Sequence, residues 1–181
     1  SIRRISARNL DFHMLHPEST VPYRGSGINW NDLHVVGDVE GHAMRFADGI
    51  MSFAADHIAL SEQSGCGIEH ISGRGRVGRG ETLLGNLHMI DSWSDINLPV
   101  YKMSYENTKA FSRFVDAVTI DAIIGKTTLS PATLTAIIGL IPMNGITLDI
   151  DRGTMSGPVS NFMVSDLSFT EKSSGIHAIV E

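Results

Sequence analysis

The chain has 181 residues, with 14 basic and 20 acidic side chains and a net charge of −6, and 42% of its residues are hydrophobic. This charge gives no electrostatic support for binding nucleic acid or anionic lipid head groups, and the hydrophobic content argues against a disordered chain. A single cysteine, Cys66, excludes an intrachain disulfide framework. The longest apolar stretch, near residues 134–141, is too short to span a bilayer.

Short strands separated by Gly, Asn and Asp turns are predicted along most of the chain. Residues 1–26 are expected to form a leading strand and a loop. Residues 27–181 are expected to form one run of strands within a single domain. In residues 49–62 the apolar alternation ends at Ala55 and resumes, shifted by one position, at Ile58. This slip predicts a β-bulge near Asp56.

Two helices are predicted among the strands. Residues 106–118 carry an apolar stripe through Phe111, Phe114 and Val115, which favours an amphipathic helix. Strands are predicted to follow at residues 118–124, 146–150 and 159–164. Mostly sequential strands with few long helices favour a mainly β fold built from antiparallel meanders.

The second helix is predicted near residues 131–139 from its punctuation. Ser130 is its expected N-cap, Pro131 its first residue, and Gly139 lies near its end. Pro142 follows beyond the end. Its apolar side contains Leu134, Ile137, Ile138 and Ile141.

No catalytic group, metal site or cofactor site is predicted. His13 and His16 lie three residues apart with Glu18 nearby, but no further cluster completes a metal ligand set. The other histidines are each expected alone on a polar strand face or rim: His34, His42, His57, His70, His88 and His177. The glycines of residues 73–78 have the spacing of a dinucleotide loop but lack a following helix. No nucleophile elbow is present.

Five sequence phrases occur in a characteristic order. They are residues 48–65 (DGIMSFAADHIALSEQSG) with 68–73 (IEHISG), residues 87–96 (LHMIDSWSDI), residues 104–118 (SYENTKAFSRFVDAV) and residues 129–142 (LSPATLTAIIGLIP). This order resembles the AsmA/TamB-like family of translocation and assembly proteins across residues 27–169. Met89 and Trp93 depart from the family's usual small or aliphatic residues.

The resemblance implies a fragment of a larger protein, with a long sheet curved into a trough that is apolar inside and polar outside. It implies a non-enzymatic segment in the periplasm or cell envelope of a diderm bacterium, in a parent protein anchored in the inner membrane. The implied role is phospholipid transport between membranes or outer-membrane biogenesis. The implied partners are phospholipid acyl chains and outer-membrane assembly proteins.

Three functions are weighed. The first is an apolar groove for lipid, which the two helices would cap, and its alternative is a sealed core. Its candidate lining residues are Met51, Phe53, Ile58, Leu60, Leu87, Met89, Ile96, Leu98, Ile120, Leu148 and Ile150. The second is a scaffold or docking module in protein secretion and outer-membrane protein assembly, which would recruit partners by strand addition. The third, a carbohydrate-active β-solenoid enzyme, is disfavoured because aromatic residues make up 7% of the chain.

Overall fold

The computed structural model describes residues 1–15, 23, 25–139 and 145–181. These residues form eleven strands, which all belong to one antiparallel sheet. The strands are β1 (Ile2–Leu15), β2 (Asp32–Ala47), β3 (Ile50–Glu62), β4 (Gly67–Gly78), β5 (Glu81–Ile90), β6 (Asp95–Ser104), β7 (Thr119–Ile124), β8 (Thr127–Leu129), β9 (Leu148–Pro158), β10 (Met163–Glu171) and β11 (His177–Val180). The helices are α1 (Phe114–Ala117), α2 (Pro131–Ile138) and two 3-10 segments, Thr108–Arg113 and Val159–Asn161.

The sheet is a meander in which neighbours in sequence are neighbours in space. Strands β7 and β8 behave as one interrupted strand, because both lie between β6 and β9. Within the described part of the chain, no strand pairs with the outer edge of β1 or of β11, so the sheet is open. The predicted mainly β fold of sequential antiparallel strands with short helices is confirmed.

Several strands contain a residue with irregular backbone geometry where the pairing register shifts. Asn9 on β1, Asn86 on β5 and Asp166 on β10 have positive φ values of 53°, 50° and 51° at register shifts, a conformation that Asn and Asp tolerate. Another shift lies between Ala55 and Ile58, which confirms the predicted bulge near Asp56. Because each bulge bends its strand, a row of them curves the whole sheet.

One face of the sheet, here called the inner face, carries the apolar side chains. Directly paired residues share a face, so the register defines rows across it. One row contains Phe53, Gly75, Leu84, Tyr101, Ala122, Met155 and Val164. A second row contains Val39, Ile58, Ile71, Met89 and Ile96. The opposite, outer face exposes Val100 and Ile123, which pair with each other.

The connection between β6 and β7 covers part of the inner face. Its 3-10 segment and α1 supply Ala110 and Phe114, which pack with Val118, Ile120 and Ala122 in one buried cluster. The predicted stripe is therefore present, but the predicted single helix over residues 106–118 is wrong. Backbone angles of φ −123° and ψ 41° at Arg113 interrupt it, so a 3-10 segment precedes a single α-helical turn.

The predicted second helix is confirmed as α2. The Ser130 side chain accepts a hydrogen bond from the Ala132 amide, and Gly139 ends the helix with φ 93°. Pro142 and Ile141 lie outside the described residues, as do residues 16–22 and 24 of the predicted leading loop. The strand predicted at 159–164 is wrong at its start, because a 3-10 turn separates β9 from β10 there.

Candidate functional site

The register places all eleven predicted groove residues on the inner face. Met89 lies opposite Ile96, and Leu87 lies opposite Leu98. Most of the eleven are half-buried, whereas Ile120 and Ile150 are only 6% exposed. The inner face therefore has a sealed part and a more open part.

The sealed part lies on β6, β7 and β9, beneath α1. Val118 is fully buried there, and the Phe114 ring stacks on Trp30 with centroids 4.8 Å apart. Burial raises the pKa of Tyr101 to about 12, so its phenol is neutral at physiological pH. Ile120 belongs to this packed cluster, which is what the sealed-core alternative describes. Sequence reasoning did not find Trp30, whose partner lies far along the chain.

The open part lies on β1 to β3 and contains an apolar cavity of about 160 Å³. The side chains of Ile5, Met44, Met51, Phe53 and Ile58 line it. Among the described residues, none from α1 or α2 contributes to its wall. Three of the predicted groove residues line this cavity, namely Met51, Phe53 and Ile58, and the groove itself stays a prediction.

Small residues around the cavity make room for its one aromatic ring. Phe53 lies across the neighbouring strand, where a Cβ added at Gly75 would stand 2.3 Å from its Cζ. Ala55 also lines the cavity, and its direct partners on the two flanking strands are Gly41 and Gly73. The Phe53 ring therefore packs over Gly75, and glycines flank Ala55 on both neighbouring strands.

A buried polar cluster fastens the turns at one end of the sheet. Glu62 accepts hydrogen bonds from the amide and hydroxyl of Ser64. Ser94 Oγ lies 2.7 Å from Thr133 Oγ1 and accepts a hydrogen bond from the Ser130 amide, which connects the β5–β6 turn to α2.

The thiol of Cys66 is buried near this cluster. Burial, and then the charges of Glu62 and Asp91, raise the pKa of Cys66. A thiol with a raised pKa is a poor nucleophile.

The outer face carries polar side chains, including histidines that sequence analysis placed singly. The Nδ1 atoms of His57 and His70 are 2.8 Å apart, and the His88 ring centroid lies 5.6 Å from that of His70. Burial, then His57 and His88, lowers the pKa of His70. Only the strand register, with its bulges, could have revealed this grouping. Within the described residues, no three or more His, Cys, Asp or Glu side chains are arranged to hold a metal ion.

Comparisons with protein-family models, with curated proteins and with solved structures give no significant match to this chain. The resemblance to AsmA/TamB-like proteins therefore stays a prediction that rests on the sequence phrases alone. No helix in the described part of the chain is long and apolar enough to cross a membrane.

Proposed function

We propose that the open part of the inner face binds acyl chains, as a non-enzymatic segment of an AsmA/TamB-like envelope protein that serves phospholipid transport or outer-membrane biogenesis. The observation that carries this proposal is the apolar cavity of about 160 Å³ on β1 to β3. The resemblance of residues 27–169 supplies the envelope setting.

The chemistry of the cavity suits a hydrocarbon ligand. Its lining side chains are mainly Ile, Val, Met, Phe and Ala, while Glu40 and His42 border it from β2. Glu40 is paired with His57 and His42 with Ala54, and both partners lie on the outer face. Glu40 and His42 therefore also belong to the outer face. An acyl chain gains about 0.8 kcal/mol for each methylene it buries and requires no specific polar partner.

The half-buried residues beyond the cavity extend the apolar surface along the sheet. Ile58 continues through Ile71 to Met89 and Ile96 on the next three strands. Contiguous apolar surface that is not sealed by packing commonly marks a binding site. A chain bound in the cavity would therefore meet apolar side chains along this row.

The test compares the same substitution on the two faces. Ile58→Glu places a carboxylate in the cavity wall, and Ile123→Glu places one on the outer face, where Ile123 is 47% exposed. The purified chain is titrated with a fluorescent polyene fatty acid and examined by native mass spectrometry for co-purifying lipid. We expect Ile58→Glu to lose binding and Ile123→Glu to retain it. Equal affinities in the two variants, or no binding by the unsubstituted chain, would refute the acyl-chain proposal.

A second function is favoured by the edge of the sheet. Strand β1 is 14 residues long, and along it Ile2, Leu10, Phe12 and Leu15 are each about half exposed. An open edge offers its backbone groups for strand addition, as a docking module in outer-membrane protein assembly requires. A pull-down from envelope extracts separates the two functions, because captured lipid without protein supports the groove and captured assembly protein supports docking.

A further inference from the structure

Two imidazoles on adjacent strands of the outer face approach each other edge to edge. His57 on β3 and His70 on β4 have ring centroids 5.0 Å apart and Nδ1 atoms 2.8 Å apart. His70 Nε2 lies 3.0 Å from Ser72 Oγ on the same strand. This Nδ1–Nδ1 distance is that of a hydrogen bond in which one Nδ1–H donates to the other Nδ1, so the two nitrogens face each other between the strands.

The hydrogen bonds define which nitrogens are free to bind an ion. When His70 Nε2–H donates to Ser72, the lone pair of His70 lies on Nδ1, toward His57. The second ring nitrogen of a metal-binding histidine is commonly fixed by such a partner. Glu40 on β2 is paired with His57, so an acidic residue shares the outer face with the two imidazoles. An acidic residue on this face favours a cation over an anion.

We propose that His57 and His70 form a two-imidazole site for a divalent ion with square-planar or octahedral preference, Ni²⁺ or Cu²⁺. With metal–nitrogen bonds of about 2.0–2.1 Å, two nitrogens at this separation subtend about 85° at the ion. That angle is close to the 90° of square-planar and octahedral coordination and well below the roughly 109° of tetrahedral zinc.

In the proposed site the two imidazoles are the protein ligands, and water would complete the coordination of the ion. The site therefore differs from one built from three or more protein ligands. His88 stands at the side of His70, and its Nε2 is held 2.8 Å from Asp95. The proton balance is simple, since a neutral His57 moves its proton from Nδ1 to Nε2 when the ion binds Nδ1. No proton is released to solvent when both imidazoles are neutral before the ion binds.

The test uses the untagged chain at pH 7.5 and measures Ni²⁺ binding by calorimetry. His57→Ala and His70→Ala remove one ligand each. His177→Ala is the matched control, because His177 lies on β11 and contacts Thr170 through Nδ1. We expect the unsubstituted chain and the control to bind one Ni²⁺ at this site, and each ligand variant to bind at least about tenfold more weakly. With Cu²⁺, electron paramagnetic resonance should show hyperfine coupling to two imidazole nitrogens.

Two results would overturn the site. One is a Ni²⁺ affinity that is the same in His57→Ala, His70→Ala and His177→Ala. The other is tighter binding of Zn²⁺ than of Ni²⁺, which would refute the geometric argument. Circular dichroism verifies that each variant keeps its strand signal, and His57→Gln and His70→Gln replace any alanine variant that does not.

Discussion

Replacing Ala55 with leucine tests whether the cavity on the inner face is empty apolar space or part of a packed core. Ala55 lines the cavity from β3. In a sealed core, three added carbons cause overpacking that destabilises a protein by about 1–3 kcal/mol. In a cavity of about 160 Å³ the same carbons fill empty apolar space. The substitution therefore changes stability in opposite directions in the two cases.

The magnitude follows from the volume. An engineered apolar cavity of about 150 Å³ accommodates benzene, so the cavity beside Ala55 holds about six carbons. At about 0.8 kcal/mol per methylene, an acyl chain in it gains about 5 kcal/mol. The three carbons of Ala55→Leu occupy half of this space and remove about 2.4 kcal/mol, which is roughly 60-fold in affinity. Cavity filling should also raise the free energy of unfolding by about 0.5–2 kcal/mol.

Two measurements on one variant check this reasoning. Urea titration gives the free energy of unfolding, and fluorescent fatty-acid titration gives the affinity. Ala59→Leu is the control, because Ala59 lies on the same strand opposite Asp38 and is not part of the cavity wall. A destabilised Ala55→Leu variant would show that the space is already filled. Unchanged fatty-acid affinity in a stabilised variant would show that lipid binds elsewhere.

Three further predictions concern the frame of the sheet. Gly37→Ala should destabilise the fold by about 1–3 kcal/mol in urea titration, because its Cβ would stand 2.2 Å from the Ala59 carbonyl oxygen. The control is Gly67→Ala, which has open space around it and should be close to neutral. Thr133→Val should cost about 0.5–1.5 kcal/mol by the same assay, because it removes the hydrogen bond between two buried hydroxyls while Ser94 Oγ keeps the bond from the Ser130 amide. An unchanged midpoint would contradict this. Hydrogen bonds from the serines that follow Glu171 lower its pKa to about 2. Its carboxylate should therefore keep the turn intact above pH 4.5 and release it as the pH falls through about 2, and a carbon-detected NMR titration with a midpoint near 4.5 would contradict this.

The strands and their inner face could be predicted because their physical origin is local. An alternating apolar pattern of period two fixes which side chains share a face, and the shift between Ala55 and Ile58 marks a bulge in the sequence itself. The α2 helix was predictable for the same reason, since Ser130, Pro131 and Gly139 act on their own turn of backbone.

Other features depend on register, which no local pattern fixes. From the sequence alone, Asn9, Asn86 and Asp166 are typical turn residues. In the structure they adopt positive φ values within strands. The contact between His57 and His70 depends on how many bulges precede it on β3 and β4. The extent of the first helix was overestimated because an apolar stripe does not report the break at Arg113.

The inner face combines a packed part, which stabilises the fold, with a part that contains an apolar cavity. Its sealed part, on β6, β7 and β9, excludes water around Val118 and Phe114 and supplies hydrophobic stabilisation. The strands that carry the cavity, β1 to β3, are connected to the sealed part by the continuous hydrogen bonding of the sheet. If the cavity binds acyl chains, as proposed, a chain would enter and leave it without disturbing the packed cluster. The row of bulges across the sheet keeps apolar side chains on the same face on both sides of the bend, so the surface offered to a chain continues across it.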